Sequence, residues 1–168
     1  EEMPSNVVKK VLKNTDEHTR KLINQFLNYP EESAGSIMTI EFVDLKKHMT
    51  VKEAIIHIKA TGVDKETINT CYVIDKERKL EGVISIRKLI LSESDTAIDD
   101  IMSTDVLYAN TLDDQEKIAS LFKKYDLTAL PVVDNENRLV GIVTIDDIVD
   151  IIDEENTEDL HKMAEANK

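Results

Sequence analysis

The sequence predicts an α/β (α+β) fold in which one strand–helix–strand–strand–helix unit occurs twice. The first observation is an internal repeat, since residues 72–90 align without a gap with residues 131–149 at an offset of 59. The second is that each copy consists of an apolar strand, a polar turn, another strand, and Ser or Thr before a helix. The third is size: a unit of about 55–60 residues buries too little surface alone, so the two should pack through their sheets.

The elements follow in order from local patterns. Residues 7–14 and 18–28 carry apolar side chains at helical spacing, and Pro30 ends the second stretch. They are interpreted as the short remnant of a helical domain. In the two units, residues 51–60 and 114–124 match as helices, and residues 75–79 and 134–138 suit hairpin turns. The predicted boundaries are 1–36 for the helical remnant, 37–97 and 98–154 for the two units, and 155–168 for the start of a connecting helix.

Composition and charge exclude several classes of protein. Hydrophobic residues make up 41% of the chain and charged residues 33%, which is typical of a folded domain. The net charge of −13 argues against nucleic acid as a partner, because binding it requires Lys and Arg against phosphates. Cys71 is the only cysteine, so an intrachain disulfide is excluded. No apolar run reaches the roughly 18 residues of a membrane span, and no signal peptide is apparent.

No grouping typical of an enzyme or a zinc site occurs. The four histidines are scattered along the chain and pair with no cysteine: His18, His48, His57 and His161. No nucleophile motif or glycine-rich phosphate loop is present. The sequence therefore favours a protein that is not an enzyme, and Cys71 is interpreted as a buried structural thiol.

Residues 144–159 are unusually acidic, with eight carboxylates and no Lys or Arg. A solvated helix face with Thr144 and Asp147 at its cap would explain the first acids. It explains the later ones less well, because Asp146 and Asp150 are like charges at i,i+4, and so are Asp150 and Glu154. A divalent cation held by carboxylate oxygens would compensate the repulsion. No EF-hand spacing is present.

The repeated unit, which ends in G-x-x-S/T, resembles the CBS domain, and the tandem copies resemble a CBS pair, or Bateman module. Three stretches resemble the cytosolic portion of MgtE-type magnesium transporters: YPEESAGSIMT at 29–39, YDLTALPVVD at 125–134, and GIVTIDDIVDIIDEENTEDLHKMA at 141–164. That resemblance implies a homodimer, Mg²⁺ as ligand, and a helix leading to the protein's own membrane domain. It places the chain in the cytoplasmic portion of a cell (inner) membrane protein.

The same resemblance implies two sets of site residues. The acidic positions that match magnesium-sensing positions of the family are Asp114, Glu116, Asp126, Asp147, Asp150, Glu155, Glu158 and Asp159. Cations bound between facing carboxylates would close the assembly and thereby shut the pore. Some partner carboxylates would lie in the missing helical domain.

CBS pairs often bind adenosine nucleotides such as ATP between their units, through G-h-x-T/S-x-x-D. GIVTIDD satisfies this pattern with Thr144 and Asp147, whereas GVISIRK has Lys88 in place of the acid. Arg87 would pair with phosphates, and Tyr72 or Pro131 would flank the base. Alternatives remain open. In one, Thr144 and Asp147 only cap the helix. In another, the chain is a stand-alone CBS module that senses adenosine nucleotides and regulates a partner enzyme. A third is a purely structural dimerisation module.

Overall fold

The computed structural model describes residues 29–62, residue 65 and residues 67–151. The helices predicted at 7–14 and 18–28, and the connecting helix predicted from 155, lie outside these residues. Within the described part, every helix is too short or too polar to cross a lipid bilayer.

The first unit has the predicted order of elements. Its helices and strands are α1 (Ala34–Ile37), β1 (Phe42–Leu45), α2 (Val51–Thr61), β2 (Thr67–Ile74), β3 (Leu80–Ser85) and α3 (Ile86–Leu91). Helix α2 begins at a capping box, in which the Thr50 hydroxyl accepts from the Glu53 N–H and the Glu53 carboxylate accepts from the Thr50 N–H. The Ser85 hydroxyl caps α3 by accepting from the Lys88 N–H at 3.1 Å.

The second unit repeats this order. Its elements are α4 (Ile98–Ile101), β4 (Ala109–Asn110), α5 (Gln115–Tyr125), β5 (Ala129–Val133) and β6 (Leu139–Thr144). A further helix, α6, begins at residue 145 and is described as far as residue 151. Each unit forms a three-stranded sheet, in which the central strand is parallel to the first strand and antiparallel to the third.

The two predicted hairpins are present and share one turn geometry. Asp75 accepts from the N–H groups of Glu77 and Lys79, at 2.8 and 2.9 Å. Asp134 does the same for the N–H groups of Glu136 and Arg138. These bonds, led by the one from Lys79, lower the pKa of Asp75. The pattern D-x-x-x-K/R therefore indicates a turn in which the aspartate side chain accepts hydrogen bonds from the backbone N–H groups two and four residues later.

The segment that leads into each unit pairs with the sheet of the other unit. Thr39 exchanges both backbone hydrogen bonds with Ile142 of β6, at 2.8 and 2.9 Å, and Ser103 does the same with Val83 of β3. Glycine permits this approach, because a Cβ on Gly141 would lie 2.6 Å from the Met38 sulfur. A Cβ on Gly82 would similarly meet the sulfur of Met102 at 2.7 Å. The units are thus interlocked.

The two sheets also share an apolar core, as the repeat predicts. Its buried members come from both units: Phe42, Tyr72, Ile74, Leu139 and Ile142. The rings of Phe42 and Tyr72 meet edge to face, with centroids 6.2 Å apart. Each unit has in addition its own core between its sheet and its helices. The prediction of a tandem α/β module packed through its sheets is confirmed.

Candidate functional site

Thr144 and Asp147 lie where β6 meets α6. Thr144 ends the strand and is only 5% exposed, which fixes its hydroxyl at the first turn of the helix. The hydroxyl donates to a carboxylate oxygen of Asp147 at 3.2 Å. A helix cap would have the hydroxyl accept from a backbone N–H, so this contact brings the two side chains together and leaves capping a prediction. A ligand that used either side chain would have to replace or share this hydrogen bond.

The equivalent corner of the first unit carries positive charge instead. Ser85 occupies the position of Thr144, and the side chains of Arg87 and Lys88 that follow it are exposed. Within the described residues Arg87 makes no ion pair. This corner suits an anionic group, whereas the corner at Asp147 suits hydroxyl or cationic groups.

Tyr72 and Pro131 occupy matching positions on the central strands of the two sheets. Both are buried, and Tyr72 is 1% exposed. Its hydroxyl has no hydrogen-bond partner among the described residues, and burial, followed by the neighbouring Cys71, raises its pKa. That Tyr72 or Pro131 flanks a base stays a prediction, and for Tyr72 it requires that the ring become accessible.

The described carboxylates predicted as cation ligands fall at the two ends of the second unit. Asp114 caps α5 by accepting from the Glu116 N–H at 2.8 Å. Asp126 ends the same helix, about 16 Å away for an 11-residue helix. Asp114 and Asp126 therefore cannot share one ion within a chain. In the described part of the chain, no group of three or more candidate ligands converges.

Asp126 lies at the same end of the unit as the start of α6. The N–H of Ile145 donates to the carbonyl of Thr128 at 2.9 Å, which ties the loop after Asp126 to the first turn of α6. Asp147 is in that turn and Asp150 follows one turn later. Asp126 and Asp150 are exposed and form no ion pair among the described residues. The remaining predicted ligands, Glu155, Glu158 and Asp159, lie outside the described residues.

The structure adds two carboxylates that the sequence analysis did not single out. Ser33 forms a β-bridge with Asp114, and the Gln115 N–H donates to the Glu32 carbonyl at 2.7 Å. Glu31 and Glu32 are therefore brought beside the end of α5 that carries Asp114 and Glu116. Since more than 80 residues separate these segments, no local pattern in the sequence reports the contact.

Comparison with known proteins gives matches over most of the chain. The CBS domain family model matches residues 34–94 and 98–154. The magnesium transporter MgtE of Thermus thermophilus is 44% identical over 148 residues, which are 88% of this chain and 33% of that protein. The MgtE of Bacillus subtilis gives the same identity and coverage. The chain thus spans about a third of the length of these curated relatives.

Two solved structures are similar in fold as well as in sequence. The soluble part of a magnesium transporter superposes with a TM-score of 0.77 at 42% identity, covering 86% of this chain and 56% of that one. The cytosolic domain of the Mg²⁺ channel MgtE in complex with ATP gives a TM-score of 0.74 at 41% identity, covering 85% and 58%. A more distant relative is the inosine-5'-monophosphate dehydrogenase of Methanocaldococcus jannaschii, 31% identical over 70% of this chain and 23% of that enzyme.

Proposed function

The chain belongs to the CBS domain family and is a CBS pair of the MgtE magnesium transporter type, and from this we propose that it is a cytosolic regulatory region that senses Mg²⁺. Cations bound at its acidic clusters close a homodimer and thereby gate a pore formed by a membrane domain of the same protein. We assign residues 37–97 and 98–154 to the two CBS domains, 1–36 to the end of a helical domain, and 155–168 to the start of the connecting helix. The last part of the first segment, residues 29–36, is hydrogen-bonded to the second CBS domain.

The observation that carries this proposal is the placement of Asp126. Its φ of +52° is left-handed, a conformation that glycine and asparagine adopt with less strain, and it lies at the carboxyl end of α5. A negative charge there opposes the helix dipole. Lys123 and Lys124 lie in the last turn of the same helix, but Asp126 forms no ion pair within the described residues. An exposed carboxylate that forms no ion pair within the described residues is available to a cation, which supports a role in binding.

Helix α6, in the acidic segment, also carries exposed negative charges that no ion pair within the described residues compensates. Asp146 and Asp150 are exposed and one turn apart on α6, so their like charges destabilise the helix by about 0.2–0.5 kcal/mol. Carboxylate oxygens are the donors that Mg²⁺ prefers, with several waters retained. Since one or two carboxylates are enough for Mg²⁺, an ion that bridges carboxylates of separate elements or subunits needs no group of three within one chain. Neutralised repulsion then favours the closed state.

A titration of this chain with Mg²⁺ in the millimolar range tests the proposal. We expect the radius of gyration from X-ray scattering to fall, and the fall to weaken in Asp147→Asn/Asp150→Asn. The matched control is Asp99→Asn/Asp100→Asn, which neutralises two acids in α4, the first helix of the second unit. Unchanged scattering at saturating Mg²⁺, or an equal loss of response in both double variants, would reject cation sensing at α6.

The homodimer is supported by an exposed apolar face on the first unit. Ile56 of α2 is 56% exposed, and Ile90 and Leu91 of α3 are 68% and 73% exposed. Both helices bury their other sides in one core cluster, through Ala54 and Ile58 of α2 and Leu89 of α3. Exposed aliphatic side chains on neighbouring helices favour burial against another protein surface.

Light scattering on the purified chain measures the mass directly. We expect wild type to be a dimer and Ile90→Glu to shift it towards monomer. Leu112→Glu is the control, because Leu112 is equally apolar and 56% exposed but lies beyond β4 in the second unit. A monomeric wild type would contradict the homodimer. An equal effect of both substitutions would show that the dimer interface is not at Ile90.

Nucleotide binding is the second candidate function, and the complex of the similar MgtE cytosolic domain with ATP favours it. The two corners supply complementary groups. Arg87 would bind phosphates at one corner, and at the other the Thr144 hydroxyl would bind phosphate and the Asp147 carboxylate would bind ribose hydroxyls. The distant match to a dehydrogenase is consistent with the alternative in which the module regulates an enzyme.

Calorimetric titration with ATP, ADP and AMP tests this candidate. We expect Thr144→Val and Asp147→Asn to weaken binding about 10-fold or more, since each removes a hydrogen bond of roughly 1.4 kcal/mol. Ser85→Ala, at the equivalent position of the first unit, controls for loss of a helix cap. Absence of binding by wild type would leave Thr144 and Asp147 as capping residues alone.

A further inference from the structure

The segment from Tyr29 to Thr39 belongs structurally to the second CBS unit, although it precedes the first in sequence. Three backbone hydrogen bonds of 2.7–2.8 Å clamp it there: Ala34 N–H to Asp113, Gly35 N–H to Thr111, and Gln115 N–H to Glu32. Ser33, Ala34 and Ser36 are at most 6% exposed. The chain that arrives at residue 29 is therefore held at the start of α5.

The linker between the units forms an equivalent clamp on the first unit, at an offset of 64. Its three bonds are Ile98 N–H to Met49, Asp99 N–H to Lys47, and Val51 N–H to Thr96, at 2.8–2.9 Å. The backbone geometry is thus common to both copies. What differs is an aromatic side chain, because Tyr29 corresponds to the exposed Glu93, and Gly35 corresponds to Asp99.

Tyr29 lies directly against the backbone of Gly35. A Cβ on Gly35 would approach the ring atoms Cγ, Cδ1 and Cδ2 of Tyr29 to 2.5–3.0 Å, so only glycine leaves room for the ring. The ring is half-buried and packs on the core of the second unit. Burial and then the negative charge of Asp134, the first residue of the β5–β6 turn, raise the pKa of its phenol.

The turn between Tyr29 and the clamp is strained. Glu32 has a φ of +64°, which is left-handed and disfavoured for glutamate. The Ser33 hydroxyl donates to the Pro30 carbonyl at 2.6 Å, and the Ser33 N–H donates to the same oxygen at 3.3 Å. A strained turn persists only where its surroundings hold both sides. Here the clamp holds one side, and the Tyr29 ring is the group available on the other.

We propose that Tyr29, seated on Gly35, is a latch that closes this strained turn and anchors the entering chain to the second CBS unit. A displacement of the chain before residue 29 would then reach α5 through the bond between Glu32 and Gln115, and bypass the first unit. The ring acts by packing, so the phenol oxygen is dispensable and the glycine is not.

Amide hydrogen exchange of the 168-residue chain, read by NMR, tests the latch with an internal control. In Tyr29→Ala, we expect the amides of Ala34, Gly35 and Gln115 to exchange roughly ten-fold faster, because local opening becomes easier. The equivalent amides of Val51, Ile98 and Asp99 should keep their rates. Tyr29→Phe should stay within about two-fold of wild type at all six positions.

Gly35→Ala supplies the second arm, since its methyl would displace the ring. It should accelerate the same three amides, and it should add nothing in the Tyr29→Ala background if the two residues act as one contact. Equal acceleration of both clamps, unchanged rates in Tyr29→Ala, or additive effects of the two substitutions would each overturn the latch. None of these measurements involves Mg²⁺ or a nucleotide, so their outcome is independent of ligand sensing.

Discussion

The buried hydroxyl of Tyr72 makes a strong prediction about stability. The side chain is 1% exposed between the two sheets, and its oxygen finds no partner among the described residues. An unsatisfied buried polar group costs about 1–3 kcal/mol, whereas the ring contact with Phe42 would survive removal of the oxygen. Tyr72→Phe should therefore raise the free energy of unfolding by about 1–3 kcal/mol, and the melting temperature by about 2–4 °C for each kcal/mol.

Urea unfolding followed by circular dichroism measures the change, and an unaltered slope against urea would show that only stability moved. Tyr108→Phe is the control, because Tyr108 is 56% exposed and its hydroxyl is hydrated in both states. We expect the control to change stability by less than about 0.5 kcal/mol. A Tyr72→Phe protein less stable than wild type would refute the reasoning, since it would mean that the hydroxyl is satisfied in the folded state.

Three further substitutions test the packing between units, a hairpin turn and the buried thiol. Gly141→Ala should lower the free energy of unfolding in urea by about 1–3 kcal/mol, because its methyl would meet the Met38 sulfur at 2.6 Å and a backbone oxygen at 2.9 Å. Arg78→Gly should raise it by about 0.5–1 kcal/mol, since Arg78 has a φ of +69°. Burial raises the pKa of Cys71 from 9.0 to about 12. Stability should thus fall as pH rises from about 9 to 12, by up to about 1.4 kcal/mol per pH unit more than in Cys71→Ala.

The repeat provides a control for two of these substitutions. Gly82→Ala should cost about as much as Gly141→Ala, because Gly82 makes the same approach to Met102. Asn137→Gly should gain less than Arg78→Gly, since asparagine tolerates its φ of +65° better than arginine does. If Gly82→Ala and Gly141→Ala left the free energy of unfolding unchanged, that result would contradict the close packing between the two units. The same dependence of stability on pH in wild type and in Cys71→Ala would show that the thiol is not buried in solution.

Much of the fold follows from short stretches of sequence. The offset between YVIDKERKLEGVIS and PVVDNENRLVGIVT located both hairpins and both central strands, because turn chemistry and alternation are local properties. The spacing of Thr144 and Asp147 predicted that the two side chains lie together, and they are in contact. The short helix at Ala34–Ile37 was not foreseen, since four residues carry too little periodicity to indicate one.

Charge spacing indicated a cation at the acidic segment, but the full sets of cation and nucleotide residues came from resemblance, and their placement shows why. Asp114 and Asp126 are 12 positions apart, yet the helix between them carries them to opposite ends of the unit. Tyr72 has the pattern of a strand residue, and nothing near it in sequence reveals that its hydroxyl is buried without a partner. The sequence gives the number of carboxylates, but the position of each one along a helix determines which of them can bind the same ion.

By itself the sequence determined the repeated unit, the order of its strands and helices, and the membership of the CBS family, because periodicity, turns and motifs act over a few residues. Only the tertiary structure decided that the segment leading into each unit pairs with the sheet of the other unit. It showed that Gly82 and Gly141 leave room for the close contact of those segments with the sheets. It also seated Tyr29 on Gly35 and brought Glu32 to Gln115. The physical reason is that these choices depend on steric fit and backbone hydrogen bonds between segments far apart in the chain, which no local pattern encodes.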